Sequence, residues 1–188
     1  MKIADALSDV LRLYFDSAPL IYYLERHPYY TAKMVDIFQR VDRGELIGVT
    51  SAVTLAEVLV DPLRRADVKL AQDYRELLYN TDFETIPVDG IMGERAAQLR
   101  ATHNLKTPDA LQLAAAILSG CSAFLSNDRA LLRVPDITVL MLDELDCWTS
   151  SISKLWLIQI QPFTVLLTVS HIGTKLHERC QESHKFLG

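Results

Sequence analysis

The chain has 188 residues, of which 49% are apolar and 23% charged, a composition that excludes wholesale disorder, collagen-like repeats and coiled coil and suits one domain with a substantial core. Nineteen basic against twenty-four acidic side chains give a net charge of −5, which excludes a protein that grips nucleic acid through a broad basic surface, though not one that handles it at a metal-loaded cleft. Cys121, Cys147 and Cys180 form no CxxC pair and are odd in number, so a reducing cytoplasm is expected rather than a disulfide scaffold.

In chain order, the apolar run VLRLYF (10–15) predicts a first buried strand. TAKMVDIFQRVDRG then places Met34, Ile37, Phe38 and Val41 at helical spacing between a cap at Thr31 and a stop at Gly44. LIGVT (46–50) is a second strand, followed by a helix over SAVTLAEVLVD that ends near Pro62 and another over 67–79. FETIPV (83–88) is a third strand, and Met92, Ala96 and Leu99 mark the next helix. TPDALQLAAAILSG reads as a helix with Thr107 as cap, Pro108 at the first helical position and Gly120 beyond its end. SAFLS (122–126) and ITVLM (137–141) complete the strands. Strands alternating with helices imply right-handed crossovers, hence a three-layer α/β/α sandwich around a mostly parallel sheet.

Composition shifts near residue 148. Residues 149–188 hold four basic and two acidic side chains and three of the five histidines, so the expected organisation is a domain over 1–148 and a C-terminal extension over 149–188. The apolar stretch LWLIQIQPFTVLLTV (155–169) is interrupted by Gln159, Gln161 and Pro162 and falls short of the roughly 20 residues of a membrane span. The N-terminus carries no cationic leader followed by an apolar core. A soluble protein is expected.

In open α/β sheets the ligand crevice lies beyond the carboxyl ends of the strands. Asp16 follows the first strand there, Glu57 lies about two turns into the helix after the second, Asp109 opens the helix from 108, and Asn127 and Asp128 follow the strand ending at Ser126. Taken singly, each acid has a structural explanation: Asp16 and Asp128 as turn or cap residues, Glu57 as part of a solvated stripe with Thr54 and Asp61, Asp109 as a first-turn residue. Together they deliver four carboxylates, flanked by buried apolar sequence, to one edge. Such a set stays ionised only if a cation neutralises it, and its hard oxygens suit Mg²⁺ or Mn²⁺ rather than Zn²⁺. The common use of such a site is phosphodiester chemistry, with Arg26, Arg43, Arg64, Arg65, Lys106 and Arg129 as candidates to hold a nucleic-acid strand. His27 and His103 read as loop and helix-end residues. Tyr22, Tyr23, Tyr29 and Tyr30 read as helix and loop packing, with base stacking as the alternative.

YFDSAPLIYYLE around Asp16, TSAVTLAEVL around Glu57, LKTPDALQLAAAI around Asp109 and FLSNDRAL around Asp128 together resemble the PIN-domain nucleases, most closely the VapC-like ribonuclease toxins of toxin–antitoxin pairs. The resemblance spans about residues 10–146, and residues 149–188 have no counterpart in it. It implies a PIN-like, Rossmann-like fold and a Mg²⁺- or Mn²⁺-dependent endoribonuclease, often homodimeric, restrained by a small antitoxin protein. By the same resemblance Asp16 and Asp109 would be the principal metal ligands, with Glu57 and Asp128 completing the cluster directly or through water. Ser17 and Asn127 would help hold metal, water or substrate. The competing expectation is a catalytically inactive PIN-like module that binds RNA or protein. An aspartyl phosphatase or receiver domain fits poorly, because Asp16 is followed by Ser17 and Ala18 rather than by a second acid.

Overall fold

A computed structural model of the chain describes residues 1–79 and 83–147. The extension over 149–188, its apolar stretch and Cys180 lie outside the described residues. All five expected strands form: β1 Arg12–Phe15, β2 Ile47–Ser51, β3 Glu84–Ile86, β4 Ala123–Ser126 and β5 Thr138–Met141. They make one sheet in the order β3-β2-β1-β4-β5, and every neighbouring pair is parallel, so "mostly parallel" becomes all-parallel among the described residues. The order reverses between β1 and β4, and every carboxyl end lies on one edge.

Side-chain alternation along the strands separates two cores. Leu13 and Phe15 of β1 and Ala123 and Leu125 of β4 face one layer, with Leu20, Met34, Ile37, Phe38, Tyr74 and Leu78. Tyr14 and Phe124 face the other, with Met92, Leu99, Leu113 and a run of buried alanines, Ala114 to Ala116. The first layer holds α1 Ile3–Ala6, α2 Ser17–Leu24, α3 Thr31–Asp42 and α6 Val68–Tyr79; the second holds α7 Gly90–His103 and α8 Thr107–Leu118. Because α8 runs back to feed β4 of this parallel sheet, its first turn lies at the edge where the strands end.

Local chemistry sets the helix ends. Asp89 caps α7 by accepting from the Met92 N–H at 2.8 Å, and Asn104 closes it at φ 50°; Gly44 and Gly120, at φ 69° and 70°, follow α3 and α8. Three expectations shift. The helix expected over 51–61 is two, α4 Ala52–Val58 and α5 Val60–Arg64; Pro62 sits in the first turn of α5, where its missing N–H has no partner to lose. Helix α8 begins at Thr107 with Lys106 as the flanking residue, so Thr107 is not its cap. Asp16, placed after the first strand, caps a helix, α2, that was not among the expected elements. The segment before β1 belongs to the fold: Ile3 and Leu7 are buried, and the Ile3 N–H donates to the Asp146 carbonyl at 3.0 Å.

Gly48 of β2 faces the Phe83 ring, where a Cβ would stand 2.9 Å from ring carbons. That ring is held against Phe15 and Phe38, with centroids 4.9 and 5.4 Å away, so it has little room to retreat. Gly48→Ala is expected to lower stability by about 1–3 kcal/mol, measured by urea unfolding; an unchanged midpoint would show that the ring yields.

Candidate active site

The site grows from the switch point between β1 and β4. Asp16 leaves β1 as the cap of α2, its Oδ1 accepting from the Ser17 N–H at 2.6 Å. Its Oδ2 accepts from the Ser126 hydroxyl at 2.5 Å, and Ser126 Oγ in turn accepts from the Asp128 N–H at 3.0 Å. The two central strands are thus joined through one carboxyl group. Burial pushes the Asp16 carboxyl up to about 6, with the Glu57 and Asp109 charges adding to the rise and the Ser126 and Ser17 hydrogen bonds opposing it. Burial and the Asp128 charge also raise Asp109, while Lys106 and Arg133 pull it back. Asp16 is thus coupled to Glu57 and Asp109, and Asp109 to Asp128.

Glu57 is reached from both sides. The Ser17 hydroxyl donates to its Oε2, and so does the Gln112 amide at 2.6 Å. Gln112 also donates to Ser17 Oγ at 3.3 Å and accepts from the Thr54 hydroxyl at 3.3 Å. Behind them the Tyr14 hydroxyl, kept protonated by burial, donates to Ser51 Oγ at 2.7 Å and lies 3.4 Å from Thr54 Oγ1. Gln112, Thr54, Ser51 and Ser126 are all buried. Thr54 therefore does not mark a solvated stripe with Glu57: it is buried, and only Asp61 of the three is exposed.

Asp128 is exposed and caps the 3-10 turn Arg129–Arg133 by accepting from the Ala130 N–H at 2.8 Å. Asn127 Oδ1 accepts from the Asp143 N–H at 2.8 Å, whereas its Nδ2 is buried with no hydrogen-bond partner among the described residues. Among the candidate cations, Arg43 precedes β2 at the opposite edge and pairs with Glu45 at 2.9 Å, Arg65 pairs with Asp61 at 2.6 Å, and Arg129 pairs with Glu144 at 3.0 Å. Lys106 acts on Asp109 itself.

The model of the PIN domain matches residues 13–137. The chain belongs to the PIN-domain family. No curated protein matches the chain. Solved structures share its fold: VapBC2 from Rickettsia felis bound to a promoter DNA fragment (TM-score 0.57, 14% identity, 73% of this chain and 99% of that one), a toxin–antitoxin complex from Klebsiella pneumoniae (0.54, 22%, 69% and 97%), and VapC20 of Mycobacterium tuberculosis, a sarcin–ricin loop-cleaving toxin (0.53, 14%, 67% and 98%).

In this PIN domain the donors suit a hard divalent ion in kind, since they are carboxylate and amide oxygens and their mutual repulsion is what a cation relieves. As placed, no three His, Cys, Asp or Glu side chains among the described residues are grouped to hold an ion. Glu57 is engaged by Ser17 and Gln112, and Asp128 is engaged as a cap. Loading therefore requires these two either to turn from their present partners or to act through water. Sequence reasoning missed Gln112, Ser126, Thr54, Ser51 and Tyr14. Gln112 did leave a signal, as the one polar residue in ALQLAAAIL, one turn beyond Asp109 on the same helix face.

Proposed function

We propose that this PIN domain is a divalent-metal-dependent endoribonuclease acting in the cytoplasm, as the toxin of a toxin–antitoxin pair. The reading is supported above all by Asp16: a carboxyl at the sheet's switch point, raised to about 6 by burial and by Glu57 and Asp109, is held where a cation would be needed. A fold shared with toxin–antitoxin structures supports the biological setting and a small antitoxin as partner; a homodimer is part of the same proposal. Among the described residues no helix is long and apolar enough to cross a membrane.

Asp16 and Asp109 would hold Mg²⁺ or Mn²⁺, with Glu57 and Asp128 completing the set. When bound, the ion would supply charge neutralisation at the phosphodiester and would make an attacking water more acidic. The protein's own part is orientation. Ser126 and the Ser17 N–H fix both oxygens of Asp16, so its carboxylate presents one geometry. Ser17 and Gln112 restrain Glu57, leaving it able to accept a proton from an attacking water. Asn127 Nδ2, which has no hydrogen-bond partner among the described residues, would donate to a phosphate oxygen that reaches it.

The test is incubation of the purified full chain with RNA in EDTA, Mg²⁺ and Mn²⁺. Cleavage with either metal and none in EDTA is expected. RNA bound but uncut under every divalent metal would replace this reading with the non-enzymatic module.

A further inference from the structure

The edge that carries the acids also carries a cluster of rings that the proposed chemistry leaves unused. Tyr22 and Tyr30 stack with centroids 4.3 Å apart, His27 lies 5.1 and 4.6 Å from them, and Tyr30 meets Tyr29 at 5.0 Å, nearly edge-on at 83°. Two hydrogen bonds tie this cluster to the candidate site. The Tyr30 hydroxyl donates to Asp143 Oδ1 at 2.5 Å, and the Asp143 N–H donates to Asn127 Oδ1 at 2.8 Å. The rings are thus anchored to the loop that presents Asn127 and Asp128.

Within the cluster Tyr29 behaves differently from its neighbours: it is 58% exposed. An exposed loop tyrosine ordinarily samples several rotamers, but two contacts restrain this ring and a third holds its backbone. Lys33, only 6% exposed, donates to the Leu142 and Asp143 carbonyls at 3.0 and 3.2 Å, and its fixed ammonium lies 4.5 Å from the Tyr29 ring centroid. Tyr30 packs against the same ring, and the Tyr29 N–H donates to His27 Nδ1 at 3.3 Å. A ring held over a cation and still largely exposed is a preorganised flat surface. The ligand that matches it is a nucleobase, whose π-face stacks regardless of sequence, and the Lys33 ammonium beside the ring has the sign that a phosphate backbone meets favourably.

We propose that Tyr29 is a base-stacking platform for a nucleotide flanking the scissile phosphate of the RNA substrate. This rests on the ribonuclease reading above. The full chain is assayed with a short unstructured oligoribonucleotide in Mn²⁺, and with the same oligonucleotide made abasic at successive positions. Tyr29→Ala is expected to raise KM about tenfold with little change in kcat or melting temperature, whereas Tyr29→Trp and Tyr29→Phe keep KM near that of the native chain. One abasic position should raise KM in the native chain and have no further effect in Tyr29→Ala, a coupling that a merely structural tyrosine would not show. If the native chain cleaves RNA but Tyr29→Ala has the same KM and the same abasic penalties, the platform is overturned, and a protein partner becomes the better occupant of this face. If the native chain cleaves no RNA, the ribonuclease reading fails and the platform falls with it.

Discussion

Asp16→Asn is expected to abolish RNA cleavage while making the metal-free protein more stable at neutral pH. The loss of activity follows from removing a principal metal ligand: several kcal/mol of transition-state stabilisation corresponds to a fall of roughly 10³-fold or more. The gain in stability follows from the raised carboxyl, which stands at about 6 through burial and the nearby Glu57 and Asp109 charges. Between about pH 4 and pH 6 the folded chain keeps a proton on Asp16 that the unfolded chain has released, so native stability falls as pH rises through that window and then levels off. A rise of this size corresponds to about 1–3 kcal/mol of destabilisation at pH 7. Asparagine caps helices as well as aspartate does, accepts from the Ser17 N–H and can donate to Ser126 Oγ, so the variant keeps the fold and sheds the charge. Urea unfolding in EDTA at pH 4, 5, 6 and 7 checks this: the two proteins should match at pH 4 and diverge above it, with the variant the more stable. A variant less stable than the native chain at pH 7 would mean that Asp16 is a structural cap rather than a strained site residue.

Gln112→Leu is expected to cost about 2–4 kcal/mol, because it strips a donor from Glu57 and from Ser17 and the acceptor from Thr54, all within a mostly buried network. Glu57 would then be restrained by Ser17 alone, and cleavage should fall a further ten- to a hundredfold, the usual penalty for losing a group that orients a ligand. Chemical denaturation and initial rates at saturating Mn²⁺ separate the two effects. Native stability in Gln112→Leu would show that the network is not sustained in solution.

The strands and the layering were legible because a sheet buried on both faces leaves short apolar runs such as VLRLYF and SAFLS, and the helices that cover it carry their own start and stop residues. Asp16 and Asp109 stood out as charges set against apolar sequence. The network that holds them did not. Gln112, Thr54, Ser51 and Ser126 are small or neutral polar residues on helix and strand positions where their partners come from distant segments, 58 residues apart for Thr54 and Gln112, and spacing along the chain carries no record of such pairings. Two helices replaced one around Pro62 because a proline in a first turn reads, along the sequence, the same as a proline that ends a helix. Asp128 shows the opposite ambiguity: the cap reading and the site reading both describe its carboxylate, which caps the Arg129–Arg133 turn and also acts on Asp109.

Whether Asp16, Asp109, Glu57 and Asp128 share a divalent cation is measured most directly by a Mn²⁺ titration of the full chain followed by electron paramagnetic resonance of the free ion. Saturable binding of at least one ion per chain is expected of the native protein, weakened about tenfold or more in Asp16→Asn and in Asp109→Asn. Equal binding by all three proteins, or none by the native chain, would contradict a shared site.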